Sequence, residues 1–227
     1  KMNTDAGSLL DNSPLRSLLN QLIDFQRIER NIGSGALKAI SLDASSYNDS
    51  HSYSFFQANS SVSDWKRARR QGNRCTLTTD HLMATSAIPL VFPSIKLNQA
   101  YFGDGSVHQL SPLSSPIHLG ADKIMVINLD SPHQQHHNEV DAPPKTATIA
   151  GHLLDTIFSD TLNSDLERLE RINTTLALIP AADAKLINLR KIDTLVIKPS
   201  EDLSAMASRY FEDMPFAIKM MLRALGI

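Results

Sequence analysis

The sequence predicts an α/β layered domain. Three observations carry that prediction. Segments with apolar residues at helical spacing alternate with short apolar or β-branched runs suited to strands. Serine-proline pairs and glycines punctuate the helical segments at the places where helices start and stop. The run "KIMVINL", Lys123 to Leu129, is almost continuously apolar, as expected of a strand buried on both faces of a parallel sheet. Helices alternating with apolar strands are most economically satisfied by layers packed around one core.

Taken in order, Ser13-Pro14 opens the first helix, with Leu15, Leu18, Leu19, Leu22 and Ile23 on one face. Asp24 starts a second, carrying Phe25, Ile28 and Ile32 and stopped by Gly33-Ser34-Gly35. Leu37 to Ala44 and Tyr53 to Gln57 are expected as partner strands across a segment rich in turn formers. "SDWKRARRQGN", from Ser63, is predicted as a short basic helix ended by Gly72. Thr78 or Thr79 caps a helix through "DHLMATSA", stopped by Pro89. "SIKL" and "AYF" flank Asn98-Gln99 as a hairpin, and "SPLSSPIHLGAD" follows as a helix. Residues 130–145 are polar and proline-bearing, so a long mobile loop is expected there. Residues 146–227 are predicted as a helical C-terminal extension with one strand, "TLVIKPS". Its long helix runs from Thr146 to about Asn173, and a closing helical region is interrupted at Pro215. No repeat or composition shift marks a boundary, so residues 1–227 are expected to form a single domain.

Composition narrows the function classes. The 227 residues are 42% apolar and 20% charged with a net charge of −2, so no strong global field draws the chain to nucleic acid. Cys75 is the only cysteine, which excludes an internal disulfide and suits a reducing, cytoplasmic compartment. No apolar run approaches the roughly 18 residues of a membrane span, and no signal peptide is visible. Nothing in the sequence specifies an oligomeric state.

The most informative stretch is "YFGDGSVHQL", residues 101–110. Asp-Gly is a favoured turn dipeptide, so the bland reading of Asp104 is a hairpin corner. The turn is already accounted for at Asn98-Gln99, which moves Asp104 to the end of the returning strand. Gly103 and Gly105 beside it remove side-chain bulk and allow close approach of a backbone or substrate.

Around that aspartate, several blocks occur in a fixed order: Thr85-Ser86-Ala87-Ile88-Pro89, Phe92-Pro93, Asp104-Gly105-Ser106, Pro112 and Leu119-Gly120-Ala121-Asp122. Together they resemble the patatin-like phospholipase family. "DNSPLRSLL" and "DASSYNDS" resemble its middle segment, and Leu153 to Asn173 resembles the C-terminal extension of bacterial members. The resemblance implies a three-layer α/β domain with a mostly parallel central sheet flanked by helices, here without its N-terminal strands. It also implies a lipid acyl hydrolase acting on phospholipid or other lipid esters by a serine–aspartate dyad, with peripheral membrane contact and no cofactor or metal. By position, Asp104 would be the general base, with Gly103, Gly105 and Ser106 shaping its approach. Two departures stand out. Ser106 occupies a position where glycine or alanine is usual, and the chain holds no Gly-x-Ser-x-Gly elbow. Ser34, in "NIGSGAL", has adjacent glycines at a helix end and is a helix stop. The chain is therefore expected to be the C-terminal part of such an enzyme, with the serine outside it.

Two alternatives come from other classes: a catalytically inactive patatin-like domain serving as a lipid-binding or regulatory module, and an unrelated α/β binding domain in which Asp104 is a turn residue. Weaker candidates are expected to be structural. His133, His136 and His137 with Asp130, Glu139 and Asp141 form a solvated loop in preference to a metal site. His108 either lines the site or is a structural histidine. The basic run Lys66, Arg67, Arg69, Arg70 and Arg74 around Trp65 either touches anionic headgroups or is a solvated face. "PFAIKMMLRALGI" is apolar around most of its circumference and is expected to dock on the core.

Overall fold

A computed structural model describes residues 8, 10–129, 146–180 and 189–201, with scattered positions between 203 and 220. The chain divides into two compact units. The first comprises Lys1–Ala121 with Ser164–Arg168, and the second Asp122–Asn163 with Leu169–Ile227. The predicted loop at 130–145, most of the closing helical region and most of "PFAIKMMLRALGI" lie outside the described residues.

The first unit is built on a six-stranded sheet. In chain order, helices α1 (Ser13–Leu22) and α2 (Gln26–Gly33) precede strands β1 (Ala39–Ser46), β2 (Ser52–Ala58), β3 (Trp65–Lys66) and β4 (Arg70–Arg74). Helix α3 (Thr79–Thr85), β5 (Ile95–Leu97), β6 (Ala100–Asp104), a 3₁₀ turn (Gly105–His108) and α4 (Ser114–His118) follow. The strand order is β3-β4-β2-β1-β6-β5. Only β2 and β4 run parallel; β1–β2, β1–β6, β3–β4 and β5–β6 are antiparallel. The expectation of a mostly parallel sheet is corrected accordingly. Short connections account for the β1–β2, β3–β4 and β5–β6 pairs, because a tight turn can join only antiparallel neighbours whereas parallel ones need a crossover; β1–β6 is a long-range pairing. The β5–β6 connection is the predicted Asn98-Gln99 turn, with Asn98 at φ 55°.

The basic segment from Ser63 is not a helix. Trp65–Lys66 and Arg70–Arg74 pair as an antiparallel hairpin, with Trp65 opposite Gly72. Tertiary packing overrides the local pattern there. The Trp65 ring stacks on Phe56 at 5.1 Å and on His118 at 4.9 Å. Gly72 is required beneath it, since any Cβ would collide with the indole. The Arg74 guanidinium lies over the Phe56 ring and donates to the carbonyls of Ala58, Asn59 and Val62, which ties the hairpin to the loop after β2.

Alternation along β2 sends successive phenylalanines to opposite faces. Phe55 meets His81 of α3 edge-on at 4.9 Å and Phe102 at 5.2 Å, within an apolar cluster of Ala44, Leu77, Ala84 and Leu97. Phe56 clusters with Ala58 and Val62 and, through Trp65, reaches His118 of α4. Helices thus cover both faces of the sheet. Thr78 caps α3 in a reciprocal capping box with His81. Asn12 takes the N-cap of α1, one residue before the expected Ser13, while the Asp11 carboxylate accepts from the Ser13 amide and hydroxyl.

In the second unit, β7 (Lys123–Ile127) pairs in parallel with β8 (Asp193–Ile197). β7 is not buried on both faces: Ile124 is buried, but Met125 and Ile127 are 61% and 69% exposed. A strand with one described neighbour leaves its alternate side chains open. The long helix α5 (Thr146–Leu178) matches the predicted one and continues past Asn173. The Asn173 amide grips the backbone of the buried Ile192 from both sides, donating to its carbonyl at 2.8 Å and accepting from its N–H at 3.1 Å. Among the described residues, no helix is long and apolar enough to cross a membrane.

Candidate active site

Asp104 is the last residue of β6, opposite Ala44 of β1. It is therefore at a strand end and not in the hairpin turn. Its amide donates to the Ala87 carbonyl at 2.9 Å. This contact explains part of the Thr85-Ser86-Ala87 block. Ser86 closes α3 by donating its hydroxyl to Leu82, and Thr85 donates to the Asp43 carbonyl at 2.5 Å. The end of α3 is thereby tied to β1 and β6 at the carboxylate.

The carboxylate itself caps the 3₁₀ turn. Oδ1 accepts the Ser106 amide at 3.0 Å and the Ser106 hydroxyl at 2.5 Å. Among the described residues, no donor reaches Oδ2 and no cation pairs with Asp104. One oxygen is held and the other is open, as a proton acceptor requires. The hydroxyl that distinguishes Ser106 from glycine or alanine thus engages the carboxylate directly.

The flanking glycines accommodate protein neighbours. A Cβ on Gly103 would collide with the Tyr47 ring, and one on Gly105 with the Asp43 carbonyl. Tyr47 lies close enough that burial and the Asp104 charge both push its hydroxyl pKa up.

The sequence reading missed the polar scaffold behind this turn. The Asp43 carboxylate accepts from Ser115 at 2.9 and 3.1 Å and from the Gln109 amide at 2.7 Å, and the Ser54 hydroxyl bonds to Ser115 at 2.7 Å. Burial pushes the Asp43 pKa above its ordinary value, opposed by the hydrogen bonds from Ser54, Ser115 and Gln109. Two residues on, Ser45 donates to the Gly105 carbonyl at 3.1 Å and accepts the His108 amide at 3.0 Å. β1 therefore clamps the 3₁₀ turn that Asp104 caps. The alternation of small polar residues in "DASS" and "SYS" was the available signal: Asp43, Ser45, Ser52 and Ser54 share one face of paired strands.

His108 does not bond to Asp104. Its ring lines a cavity with Arg67, Arg69, Arg70, Leu110 and Arg168, and Asp104 is not in that lining. Burial and the nearby Arg69 charge hold the His108 pKa below its ordinary value. The His81 pKa is also held below its ordinary value, by burial against Phe55, and His81 belongs to the α3 cap. Among the described residues, no group of three His, Cys, Asp or Glu is placed to hold a metal. The cluster His133, His136, His137, Asp130, Glu139 and Asp141 lies outside them.

A patatin-like phospholipase family model matches residues 4–117, which contain β1 to β6, the Asp104 strand end and the 3₁₀ turn. No curated protein and no solved structure matches the chain.

Proposed function

This chain belongs to the patatin-like phospholipase family, and on that premise we propose that it supplies the general base of a lipid acyl hydrolase, Asp104, to a serine outside residues 1–227. The observation that supports the reading is the asymmetric carboxylate: Oδ1 is held by Ser106 while Oδ2 is open at the strand end. Residues 1–227 contain no Gly-x-Ser-x-Gly elbow to furnish the nucleophile.

In the proposed reaction the serine O–H proton passes to Oδ2 as the serine oxygen attacks the ester carbonyl. The tetrahedral intermediate then expels the alcohol, which takes the proton from Asp104. Water gives a proton to Asp104 while its oxygen attacks the acyl-serine, and the fatty acid leaves as the serine recovers its proton. Ser45 and Asp43 are positioning residues, because they hold the 3₁₀ turn through Gly105, His108 and Gln109.

Two measurements test this. A fluorophosphonate probe should label no serine of the 227-residue chain; labelling within it would overturn the placement of the nucleophile. In a protein joining this chain to a serine elbow, Asp104→Asn should lower short-chain ester hydrolysis by about 10²–10⁴-fold with an unchanged melting temperature. Full activity in that variant would remove Asp104 from the chemistry. Absence of hydrolysis in the parent, with lipid binding retained, would favour the inactive lipid-binding module.

A further inference from the structure

The basic hairpin that the sequence suggested as a solvated helix encloses space. A cavity of about 320 Å³ is lined by Arg67, Arg69, Arg70 and Arg168, with His108 and Leu110. That volume lies at the lower end of small-ligand pockets, roughly 300–1,000 Å³. The tertiary structure holds the arginines together. The Arg67 amide donates to the Arg70 carbonyl at 2.8 Å and closes the turn, while the Arg69 carbonyl accepts from Ser52 of β2 at 2.9 Å. Trp65, gripped between Phe56 and His118, anchors the hairpin behind them.

Four arginines line this space. The Arg67 guanidinium donates to the Lys66 carbonyl at 2.9 Å, and among the described residues Arg67, Arg69 and Arg70 have no carboxylate within ion-pairing distance. Asp165 reaches Arg168 only at 3.7 Å and is already held by the Ser111 hydroxyl at 2.6 Å and the Leu113 amide at 2.9 Å. Burial, Arg168 and Arg67 all hold the Arg70 pKa below its ordinary value, with Asp165 opposing them. The His108 Nδ1 is buried and has no hydrogen-bond partner among the described residues. Arg67 and Arg69 are exposed and Arg70 is half-buried, so the gathered positive charge stays accessible and favours an anion that joins it. Planar guanidinium forks match tetrahedral oxyanions, and phosphate in particular can take several at once.

We propose that this cavity is a binding site for a phosphate group, carried by a lipid headgroup or by free phosphate. It does not depend on the hydrolase reading. By register Arg70 shares the sheet face of Ser52 and Ser45, whereas Asp104 shares that of Ala44 and Tyr53.

Calorimetric titration of the 227-residue chain at low ionic strength tests it, with inorganic phosphate, monomeric dihexanoyl phosphatidic acid and acetate as probes. Both phosphate probes should bind at one site, and acetate should bind far more weakly. Arg69→Gln combined with Arg168→Gln should weaken binding by at least about ten-fold, while Lys191→Gln, in the other unit, should leave it unchanged. Phosphatidic acid binding at least about ten-fold tighter than phosphate would identify a headgroup site, and equal affinities a free-phosphate site. Should the double variant lose its unfolding transition, the parent serves instead: added potassium chloride must weaken phosphate binding several-fold. Absence of saturable binding, acetate binding as tightly as phosphate, or an undiminished affinity in the folded double variant would overturn the proposal. Asp104→Asn should bind phosphate normally, which separates this test from that of the hydrolase.

Discussion

On one face of the six-stranded sheet, Phe55, Phe102 and Tyr53 pack edge-on or stacked against each other and against His81 of α3. On the other, Asp43, Ser45 and Ser54 hydrogen-bond to Ser115, Gln109 and the 3₁₀ turn, and apolar packing is confined to the end around Phe56 and Trp65. The same strands supply both faces, because alternation separates Phe55 from Ser54 and Ala44 from Asp43. The apolar face is non-directional and supplies stability. The polar face is directional: each acceptor specifies where the 3₁₀ turn, and hence the backbone around Asp104, must sit. Stability and placement are thus divided between the faces.

The largest expected effect breaks the apolar face. Phe55→Ala leaves a cavity beside Phe102 and His81 and should cost about 3–5 kcal/mol in chemical denaturation. Phe56→Ala should cost about as much and should also shift the Trp65 fluorescence, because the indole loses one wall of its sandwich.

Disrupting the polar face should cost less but displace more. Asp43→Ala strands the donors of Gln109 and Ser115 and should cost about 1–3 kcal/mol. Asp43→Asn, which keeps an acceptor oxygen, should cost less. If the polar face serves placement, Asp43→Ala will perturb the backbone amide resonances of residues 104–109, while Phe55→Ala will leave them near their original positions at equal residual stability.

A pH titration sharpens the distinction. Folding raises the Asp43 pKa above its ordinary 3.8, so the folded chain holds that proton more tightly than the unfolded one. The corresponding stability is fully present below 3.8 and is lost as pH rises through the folded pKa. Over that window the stability difference between the parent and Asp43→Asn should shift against the parent as pH increases; a constant difference would remove Asp43 from the linkage. The smallest effects are local. Thr78→Ala should cost about 1 kcal/mol through the α3 cap, and Lys191→Ala, which breaks an exposed pair with Asp193, about 0.2–1 kcal/mol at most.

Local grammar made much of this chain legible. Asn98-Gln99 announced the β5–β6 hairpin, and that placement alone moved Asp104 from a turn to a strand end. Thr78 announced the start of α3, and the ordered blocks from Thr85 to Asp122 pointed to the family. Each of these signals lies within a few residues of the feature it specifies. The errors have the opposite character. The segment 63–74 has no alternating apolar pattern, and its strand identity depends on Phe56 and His118 meeting it in space. Strand direction depends on which partner each strand finds, and β1 pairs with β6, a strand distant in sequence.

By itself, then, the sequence determined where many elements start and stop and where the Asp104 carboxylate falls on its strand, because caps, turns and motifs are short-range chemistry. Only the tertiary structure decided that β1 clamps the 3₁₀ turn through Asp43 and Ser45, and that four arginines surround one cavity. Those arrangements arise from cross-strand register and long-range packing, in which residues far apart along the chain become neighbours.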